Sequence, residues 1–437
     1  MHHVYSLIHL GCPKNLIDTE KILGQLADNG QYITQNPEDS DVVLINTCGF
    51  IHSARQEARD NIKAMLKLKK QKKIKAVIVL GCFAKFLGDK LLQEYPDLDG
   101  VIGFCDYDNV TEQIQSILQQ KTNLYITEEN FIPQDKLRLR VTEPNYSYLR
   151  ITEGCNNCCS YCTIPQIRGN MRSKAPEIII EEAQCLIEDG ATELIVIGQD
   201  TANYGTDIQT DLFQLVEKLC TLPKLKWLRV MYLHPGHFHE KLHKIYTLPR
   251  VLPYLEMPIQ HINDEILAKM NRKNTTHQSI ENTIQTLRKN IQNFVIRTTV
   301  MVGFPGETEE QFQELYQFLE KTKFDRLGAF IYSAEPNTPA AKYENQIDPK
   351  VSQRRYDEVM KLQQKIAFQK NEQLLHKKLE VVIEEQLSKN MYRARSYAEA
   401  PEIDPLIYVQ ASKKLRIGKY YTVEIIKTKD YDLVGKI

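Results

Sequence analysis

One stretch decides how this chain is interpreted: Glu153-Gly154-Cys155-Asn156-Asn157-Cys158-Cys159-Ser160-Tyr161-Cys162. From Cys155 onward its cysteines have the spacing Cys-x3-Cys-x2-Cys, and Tyr161 directly precedes the last of them. Three thiolates this close on one loop can share a metal centre, because soft sulfur ligands suit zinc and iron–sulfur clusters. A structural zinc site usually takes four ligands in two spaced pairs, whereas here no fourth cysteine or histidine follows at the spacing of a second pair. The spacing predicts an iron–sulfur cluster with one iron open to a further ligand.

The same loop resembles the signature of the radical S-adenosylmethionine (SAM) superfamily. The resemblance implies that the open iron is chelated by the amino and carboxylate groups of SAM, and that Tyr161 lies against the adenine. A disulfide-bonded loop is the alternative interpretation. We expect no secretory signal at the start of this chain, which argues against disulfides.

Composition is that of an ordinary globular protein, with 42% hydrophobic and 26% charged residues among 437. Lys and Arg together equal Asp and Glu at 56 each, so only a local patch could bind a polyanion. No apolar run reaches the length that spans a membrane. We therefore expect a cytoplasmic protein without membrane contact, whose ten cysteines are ligands rather than disulfides.

The first third alternates short apolar runs with amphipathic stretches, which predicts an open α/β domain over residues 1–125. Strands are expected at 4–10, 41–45 and 75–80, with helices at 18–29 and 53–70. Residues 126–143 have no clear periodicity and are predicted to form a linker.

Three cysteines of this domain, Cys12, Cys48 and Cys82, directly follow its three predicted strands. The carboxyl ends of parallel strands form one crevice in an open sheet, so we expect these cysteines to meet. They predict a second cluster with one open iron, although three buried structural cysteines are the alternative. Cys105 is a rival ligand, and we assign it to the core, as we do Cys185 and Cys220.

Residues 144–365 repeat a strand–helix unit six times, which predicts a partial (β/α)6 barrel of the TIM type. The strands are expected at 146–151, 193–197, 227–232, 254–257, 295–302 and 327–331. The cysteine loop follows the first strand, at the end where such barrels place their chemistry.

Other strand ends bring polar residues to the same rim, and we expect Gln199 and Asp200 to contact the cofactor by hydrogen bonds. The rim segments 303–308 and 332–335 are further candidates. Four histidines, at positions 234, 237, 239 and 261, raise the alternative of a separate metal site. Their flanks are typical of loops and their spacing fits no metal template, so we predict no metal there.

The tail, residues 370–437, has short strands at regular spacing, which predicts a small five-stranded β-barrel. From Leu379 onward the chain contains ten basic and nine acidic residues, whereas an RNA-binding barrel would be more basic. Glu399, Glu402 and Asp404 predict an exposed acidic loop that steers toward a basic partner protein. A solvated turn without a partner is the alternative.

Together these motifs resemble the methylthiotransferases, a family within the radical SAM superfamily. The motifs are Gly11-Cys12-Pro13-Lys14-Asn15, Asn46-Thr47-Cys48-Gly49-Phe50-Ile51, Gly81-Cys82, the Cys155 loop and a terminal barrel similar to the TRAM module. The resemblance implies two [4Fe-4S] clusters, one on Cys12, Cys48 and Cys82 and one on Cys155, Cys159 and Cys162. Cys158, next to a ligand, is then not a ligand itself.

Three further motifs are most similar to the branch of the family that modifies ribosomal protein S-twelve: Gln199-Asp200-Thr201, Phe324-Asp325-Arg326-Leu327-Gly328 and Ala400-Pro401-Glu402-Ile403-Asp404. That branch adds a methylthio group to the β-carbon of an aspartate, on the free protein or the small ribosomal subunit. The resemblance implies two SAM molecules, a deoxyadenosyl radical that removes a hydrogen atom, and an electron donor such as flavodoxin or ferredoxin. The alternative is a sister enzyme that methylthiolates an adenosine of tRNA.

Overall fold

The computed structural model describes residues 3–103, 107–126 and 131–437, so the assignment of Cys105 to the core lies outside the described residues. The first region is an all-parallel sheet of six strands in the order β2-β1-β3-β4-β5-β6. Its strands are β1 (Val4–His9), β2 (Tyr32–Thr34), β3 (Val42–Thr47), β4 (Ala76–Gly81), β5 (Gly100–Ile102) and β6 (Leu124–Tyr125).

Helices cover both faces of this sheet, because its buried strands are apolar on both sides. They are α1 (Pro13–Asp28), α2 (His52–Lys70), α3 (Cys82–Leu87), α4 (Asp89–Glu94) and α5 (Val110–Leu118). Apolar side chains of α1 and α5 pack on one face, and those of α2, α3 and α4 pack on the other. The predicted open α/β arrangement is confirmed.

Helix α1 begins five residues earlier than the sequence predicted, at Pro13 instead of Asp18. Proline suits the first turn of a helix, where its missing N–H has no partner to lose and its φ is already helical. The prediction treated Pro13-Lys14-Asn15 as part of the loop after β1. The early start places Lys14 and Asn15 in the first turn of a buried helix.

The middle of the chain forms two three-stranded parallel sheets, in the orders β11-β10-β7 and β12-β13-β14. A parallel bridge between Leu228 and Val251 joins them, which makes an open six-stranded barrel. Its strands are β7 (Tyr146–Arg150), β10 (Glu193–Ile197), β11 (Trp227–Val230), β12 (Tyr254–Glu256), β13 (Val295–Val302) and β14 (Arg326–Ile331), with a small ribbon of β8 (Thr152–Glu153) and β9 (Arg172–Ser173). Each predicted strand is present, within two residues at either end.

The barrel helices follow the same alternation. They are α6 (Ile164–Arg168), α7 (Pro176–Glu188), α8 (Leu212–Cys220), α9 (Glu240–His243), α10 (Asp264–Lys269), α11 (His277–Asn290), α12 (Glu309–Thr322) and α13 (Pro349–Glu372). Cys220 is buried as predicted, but the assignment of Cys185 to the core is wrong. Cys185 is exposed because it lies on the outer face of α7, whose inner face buries Ile179, Ala183 and Leu186.

The segment predicted as a linker has no helix or strand over residues 131–143, yet it is packed against the domains it connects. Arg138 pairs with the buried Glu20 of α1 and donates to the carbonyl of Tyr148 at 2.8 Å. The carboxylate of Asp135 accepts from the Arg150 guanidinium at 2.6 Å. The segment thus fastens the sheet to the barrel through buried ion pairs.

The tail is a closed five-stranded barrel in the order β15-β16-β17-β19-β18, as predicted. Its strands are β15 (Lys378–Ser388), β16 (Met391–Arg395), β17 (Ile407–Gln410), β18 (Tyr420–Lys429) and β19 (Asp432–Lys436). Strands β15 and β18 extend beyond the apolar runs 381–383 and 421–426 from which they are predicted, since their ends carry exposed polar residues that apolar patterning does not detect.

The predicted exposure of the acidic loop between β16 and β17 is wrong for two of its three carboxylates, since only Glu402 is exposed. Glu399 and Asp404 are 2% and 9% exposed. Glu399 pairs with Arg326 at 3.0 Å and Asp404 with Arg297. Both arginines lie at the starts of barrel strands, so this loop closes the bottom of the open barrel rather than facing a partner. The cations that neutralise the loop are distant in sequence, which is why composition alone suggested a solvated acidic patch.

Among the described residues, no helix combines the length and apolar character that crossing a membrane requires.

Candidate active site

Six cysteines line one cavity of about 340 Å³ between the parallel sheet and the upper rim of the barrel. Three come from the first domain, Cys12, Cys48 and Cys82, and are called the N-terminal triad below. The other three, Cys155, Cys159 and Cys162, are called the loop triad. The arrangement brings together all the cysteines that the sequence predicts as ligands.

The N-terminal triad is assembled by the ends of three neighbouring strands. Cys12 precedes the first turn of α1, Cys48 directly follows β3, and Cys82 begins α3 directly after β4. Close approach depends on Gly11, whose φ is +106° and where an added Cβ would lie 2.7 Å from the Cβ of Cys48. A side chain at position 11 would therefore push these two cysteine segments apart.

The loop triad is held by the barrel rim rather than by a strand or helix of its own. Ser160 donates its backbone N–H to the carbonyl of Met270 at 3.0 Å, and its hydroxyl donates to the carbonyl of Lys269 at 2.8 Å. Gly154 enters the loop with φ +77°, and a Cβ there would come within 2.1 Å of the carbonyl oxygen of Asn170. Only glycine fits this backbone.

The sulfur environments fit iron–sulfur clusters. The backbone N–H groups of Asn157 and Ile164 donate to the Sγ atoms of Cys155 and Cys162, each at 3.4 Å, and such bonds tune cluster sulfurs. Burial raises the pKa of the Cys155 thiol to about 11 and that of Cys82 to about 12. Thiolates at these positions need a positive partner, which iron would supply.

Arg168 lies between the two triads and contacts both sides. Its guanidinium donates to the Sγ of Cys82 at 3.4 Å and to the carboxylate of Glu153 at 2.8 Å. Glu153 also accepts from Arg150 at 3.1 Å, and Arg150 reaches Asp18 of α1 at 2.6 Å. This buried network locks the start of the cysteine loop onto the helix that follows Cys12.

Of the three residues predicted to contact SAM, Tyr161 and Gln199 line the cavity and Asp200 does not. Tyr161 lines the cavity and accepts a hydrogen bond from Arg272 at 3.1 Å. Gln199 also lines it, and among the described residues its buried Oε1 has no hydrogen-bond partner, as expected of an atom that faces a polar ligand. The carboxylate of Asp200 instead accepts from Asn157 at 2.8 Å and from His237 at 2.6 Å, which places it behind the cysteine loop as a support.

Two of the four histidines considered above, His234 and His237, lie close to Asp200. Ligand atoms of Asp200, His234 and His237 lie within 4.8 Å of one another. The hydrogen bond to Asp200 raises the pKa of His237, whereas burial lowers that of His234 to about 3 and keeps its imidazole neutral. His234 lines the cavity with an Nε2 atom that has no partner among the described residues. The absence of a metal here stays a prediction.

The other two rim segments, 303–308 and 332–335, each place a glutamate in an ion pair. Glu307 pairs with Arg355 at 2.8 Å, and Glu335 pairs with Arg55 of α2 at 2.5 Å. The second pair is buried and joins the first domain to the barrel rim. Neither carboxylate lines the cavity.

Several lining residues were missed by sequence reasoning, notably Lys14, Arg272, Tyr232 and Gln260. Tyr232 and Gln260 have positive φ values of 63° and 66°, a strained conformation that clusters at functional sites. No sequence pattern indicates such strain. The one available signal was the position of Lys14, two residues after a predicted ligand.

Three family descriptions match successive parts of the chain. Residues 4–103 match Uncharacterized protein family UPF0004, residues 149–319 match the Radical SAM superfamily, and residues 377–437 match the TRAM domain. Several relatives that match over the full length share one name. The ribosomal protein uS12 methylthiotransferase RimO of Clostridioides difficile (strain 630) is 41% identical over 436 residues, 99% of this chain and 98% of the relative. The chain belongs to the RimO family.

A second RimO protein, from Caldicellulosiruptor saccharolyticus, is 43% identical over 438 residues, which are 99% of this chain and 99% of that protein. The family that the motifs predicted, a radical SAM methylthiotransferase with a TRAM barrel, is thereby confirmed.

Solved structures with a similar fold are more distant from this RimO chain. The radical SAM methyltransferase TsrM from Kitasatospora setae has a TM-score of 0.58 at 14% identity, over 78% of this chain and 77% of TsrM. The cobalamin-dependent SAM radical enzyme OxsB has a TM-score of 0.52 at 10% identity, over 81% of this chain and 56% of OxsB. These likenesses confirm the fold alone.

Proposed function

We propose that this chain adds a methylthio group to the β-carbon of an aspartate in ribosomal protein uS12, the protein S-twelve of the small subunit. The observation that carries this proposal is the meeting of two cysteine triads on one cavity, in a chain of the RimO family. A single triad would suffice for a radical SAM enzyme that only removes hydrogen. The second triad gives a place from which sulfur can reach the same substrate atom.

Two [4Fe-4S] clusters and SAM are the cofactors. The N-terminal triad would hold one cluster and the loop triad the other, with SAM beside Tyr161 and Gln199. Together these groups supply an electron, a radical that takes hydrogen from an unactivated carbon, and the sulfur and methyl groups.

The chain's own residues orient these groups. Arg168 and its carboxylate partners fix the separation of the triads, because each of their bonds is buried. Asp200 positions the cysteine loop through Asn157.

The partners follow from the reaction. The substrate is free uS12 or uS12 in the small ribosomal subunit, which places the enzyme in the cytoplasm. An external donor such as flavodoxin or ferredoxin would supply the electron, since the reaction consumes one for each radical formed.

The test is mass spectrometry on the cluster-loaded enzyme incubated with SAM, reductant and a peptide that spans the target aspartate. We expect the peptide to gain the mass of one methylthio group in place of one hydrogen, located on the aspartate. A tRNA substrate in a parallel reaction is expected to stay unmodified. Modified adenosine together with an unmodified peptide would reject the proposal in favour of the sister activity.

A further inference from the structure

The cavity contains a buried cation that forms no ion pair with any carboxylate of the described residues. Lys14 is 8% exposed and lies in the first turn of α1, two residues after Cys12. Its Nζ donates to the carbonyl of Gly198 at 3.2 Å and lies 3.9 Å from the centre of the Tyr232 ring. An ammonium has three N–H donors, so one remains for a ligand in the cavity.

Other buried cations nearby show that this situation is unusual. Arg168, on the same cavity, pairs with Glu153 and Asp18, and Lys21, about two helix turns further on in α1, pairs with Asp108 at 2.8 Å. Buried charges are normally paired, because removing them from water is costly. An unpaired buried ammonium that lines a cavity therefore points to an anionic ligand.

The buried Glu256 is close enough for its charge to interact with that of Lys14, but it forms no ion pair with Lys14 among the described residues. Glu256 accepts the backbone N–H of Tyr232 at 2.6 Å, and burial raises the pKa of its carboxyl group. Tyr232 itself has φ 63°. The strained backbone and the bond to Glu256 hold the Tyr232 ring beside Lys14, so the ammonium is positioned before any ligand arrives.

A second cation lines the opposite wall. Arg272 donates to the hydroxyl of Tyr161 at 3.1 Å and to the carbonyl of Pro258 at 2.6 Å, which places it with the loop triad. Besides the clusters, whose thiolate and sulfide sulfurs are themselves negative, two carboxylates must enter this cavity, that of SAM and that of the substrate. SAM belongs to the loop triad, which leaves Lys14, beside the N-terminal triad, facing the substrate.

We propose that Lys14 binds the carboxylate of the substrate aspartate and thereby makes the enzyme specific for an acidic side chain. This inference rests on the proposed function. The carboxylate of aspartate is one bond from its β-carbon, so a cation that holds the carboxylate also fixes the carbon that reacts. An adenine ring has no anionic group, and an asparagine side chain is isosteric but neutral, so neither neutralises Lys14.

The test compares two uS12 peptides, one with the target aspartate and one with asparagine in its place, by calorimetric binding to cluster-loaded enzyme with SAM and without reductant. For the wild type we expect the aspartate peptide to bind about 100-fold more tightly, because an unpaired buried charge costs that much affinity. In Lys14→Met the two affinities should agree within about threefold. Binding is read without turnover.

Matched variants separate specificity from folding. Lys14→Arg retains the cation and should retain most of the preference for aspartate. Lys21→Met removes a buried lysine of the same helix that does not line the cavity, and both affinities should be unchanged. Iron content checks each variant, and Lys14→Gln replaces Lys14→Met if the latter loses iron.

A full preference for the aspartate peptide in Lys14→Met, or equal weakening of both peptides, would overturn the inference. The two proposals fail separately. A wild-type enzyme that modifies no uS12 peptide rejects the proposed function. A wild-type enzyme that does so, with Lys14 variants that still distinguish aspartate from asparagine, rejects only the role of Lys14.

Discussion

The two cysteine triads share one cavity but are built in different ways. The loop triad lies within one short segment between β8 and α6, so its spacing is encoded locally. The N-terminal triad joins the ends of β1, β3 and β4, and its geometry exists only when the whole sheet has formed. A local change should therefore disturb the loop triad alone, whereas the N-terminal triad responds to the stability of its domain.

The triads are nevertheless coupled through charge. Arg168 bonds to Cys82 of one triad and to Glu153 at the start of the other loop. A change at this residue should therefore act on both regions, unlike a change in either triad.

The largest effect is expected from Cys159→Ala, which should abolish the loop-triad cluster. Removing one of three sulfur ligands leaves too few to hold it. Cys158→Ala is the matched control, because Cys158 is exposed, lies outside the cavity, and its thiol contacts only the carbonyl of Asn156 among the described residues. The measurement is the iron and sulfide content of each variant. An equal loss of iron in both variants would show that the ligands are misassigned.

Gly154→Ala should also remove the loop-triad cluster while the N-terminal cluster remains. An alanine at φ +77° is strained, and its Cβ would collide with the Asn170 carbonyl. In Gly88→Ala the added Cβ meets nothing within 4 Å, and only the backbone conformation at φ 57° and ψ −127° is unfavourable, so we expect a cost of about 1–3 kcal/mol and no loss of iron. Iron content with thermal unfolding measures both; intact clusters in Gly154→Ala would refute the local account.

Arg168→Met should destabilise the protein by about 3 kcal/mol, because it removes one of the two buried guanidinium groups that pair with Glu153 and Asp18 and leaves Arg150 as their remaining cation. Denaturant unfolding measures this loss. Arg354→Met removes an exposed pair with Glu309 and should leave the midpoint unchanged. If Arg168→Met unfolded like the wild type, the two triads would not be coupled through this residue.

The smallest of these effects concerns the barrel bottom. Glu399→Gln should cost about 1–3 kcal/mol by weakening the buried bond to Arg326, with no change in affinity for uS12 peptides. Glu402→Gln, at an exposed position where Tyr146 donates at 2.9 Å, should cost less. Weaker peptide binding in Glu399→Gln without lost stability would restore a docking role for this loop.

Much of the fold could be predicted because the periodicity of apolar residues reports which faces are buried. The six barrel strands and the placement of Cys12, Cys48 and Cys82 at strand ends followed from this pattern and from the rule for parallel sheets. The ends of these six strands differed by two residues or fewer, whereas β15 and β18 of the tail extend further, since exposed polar residues lengthen a strand without an apolar signal.

What the sequence could not give are pairings between distant charges. The acidic loop looked exposed because Arg297 and Arg326 lie far away in sequence, and their contacts with Asp404 and Glu399 arise only when both barrels have folded. The unpaired state of Lys14 and the strained φ of Tyr232 are likewise properties of packing rather than of any motif.

The central claim is that two separately held clusters divide the work, and paired triple variants test it most directly. The wild type should contain roughly eight irons after reconstitution, about four for each cluster. Replacing Cys12, Cys48 and Cys82 by Ala should halve the iron and leave reductive cleavage of SAM. The same change at Cys155, Cys159 and Cys162 should halve the iron and abolish cleavage. Loss of cleavage in the first variant, or its survival in the second, would contradict the account.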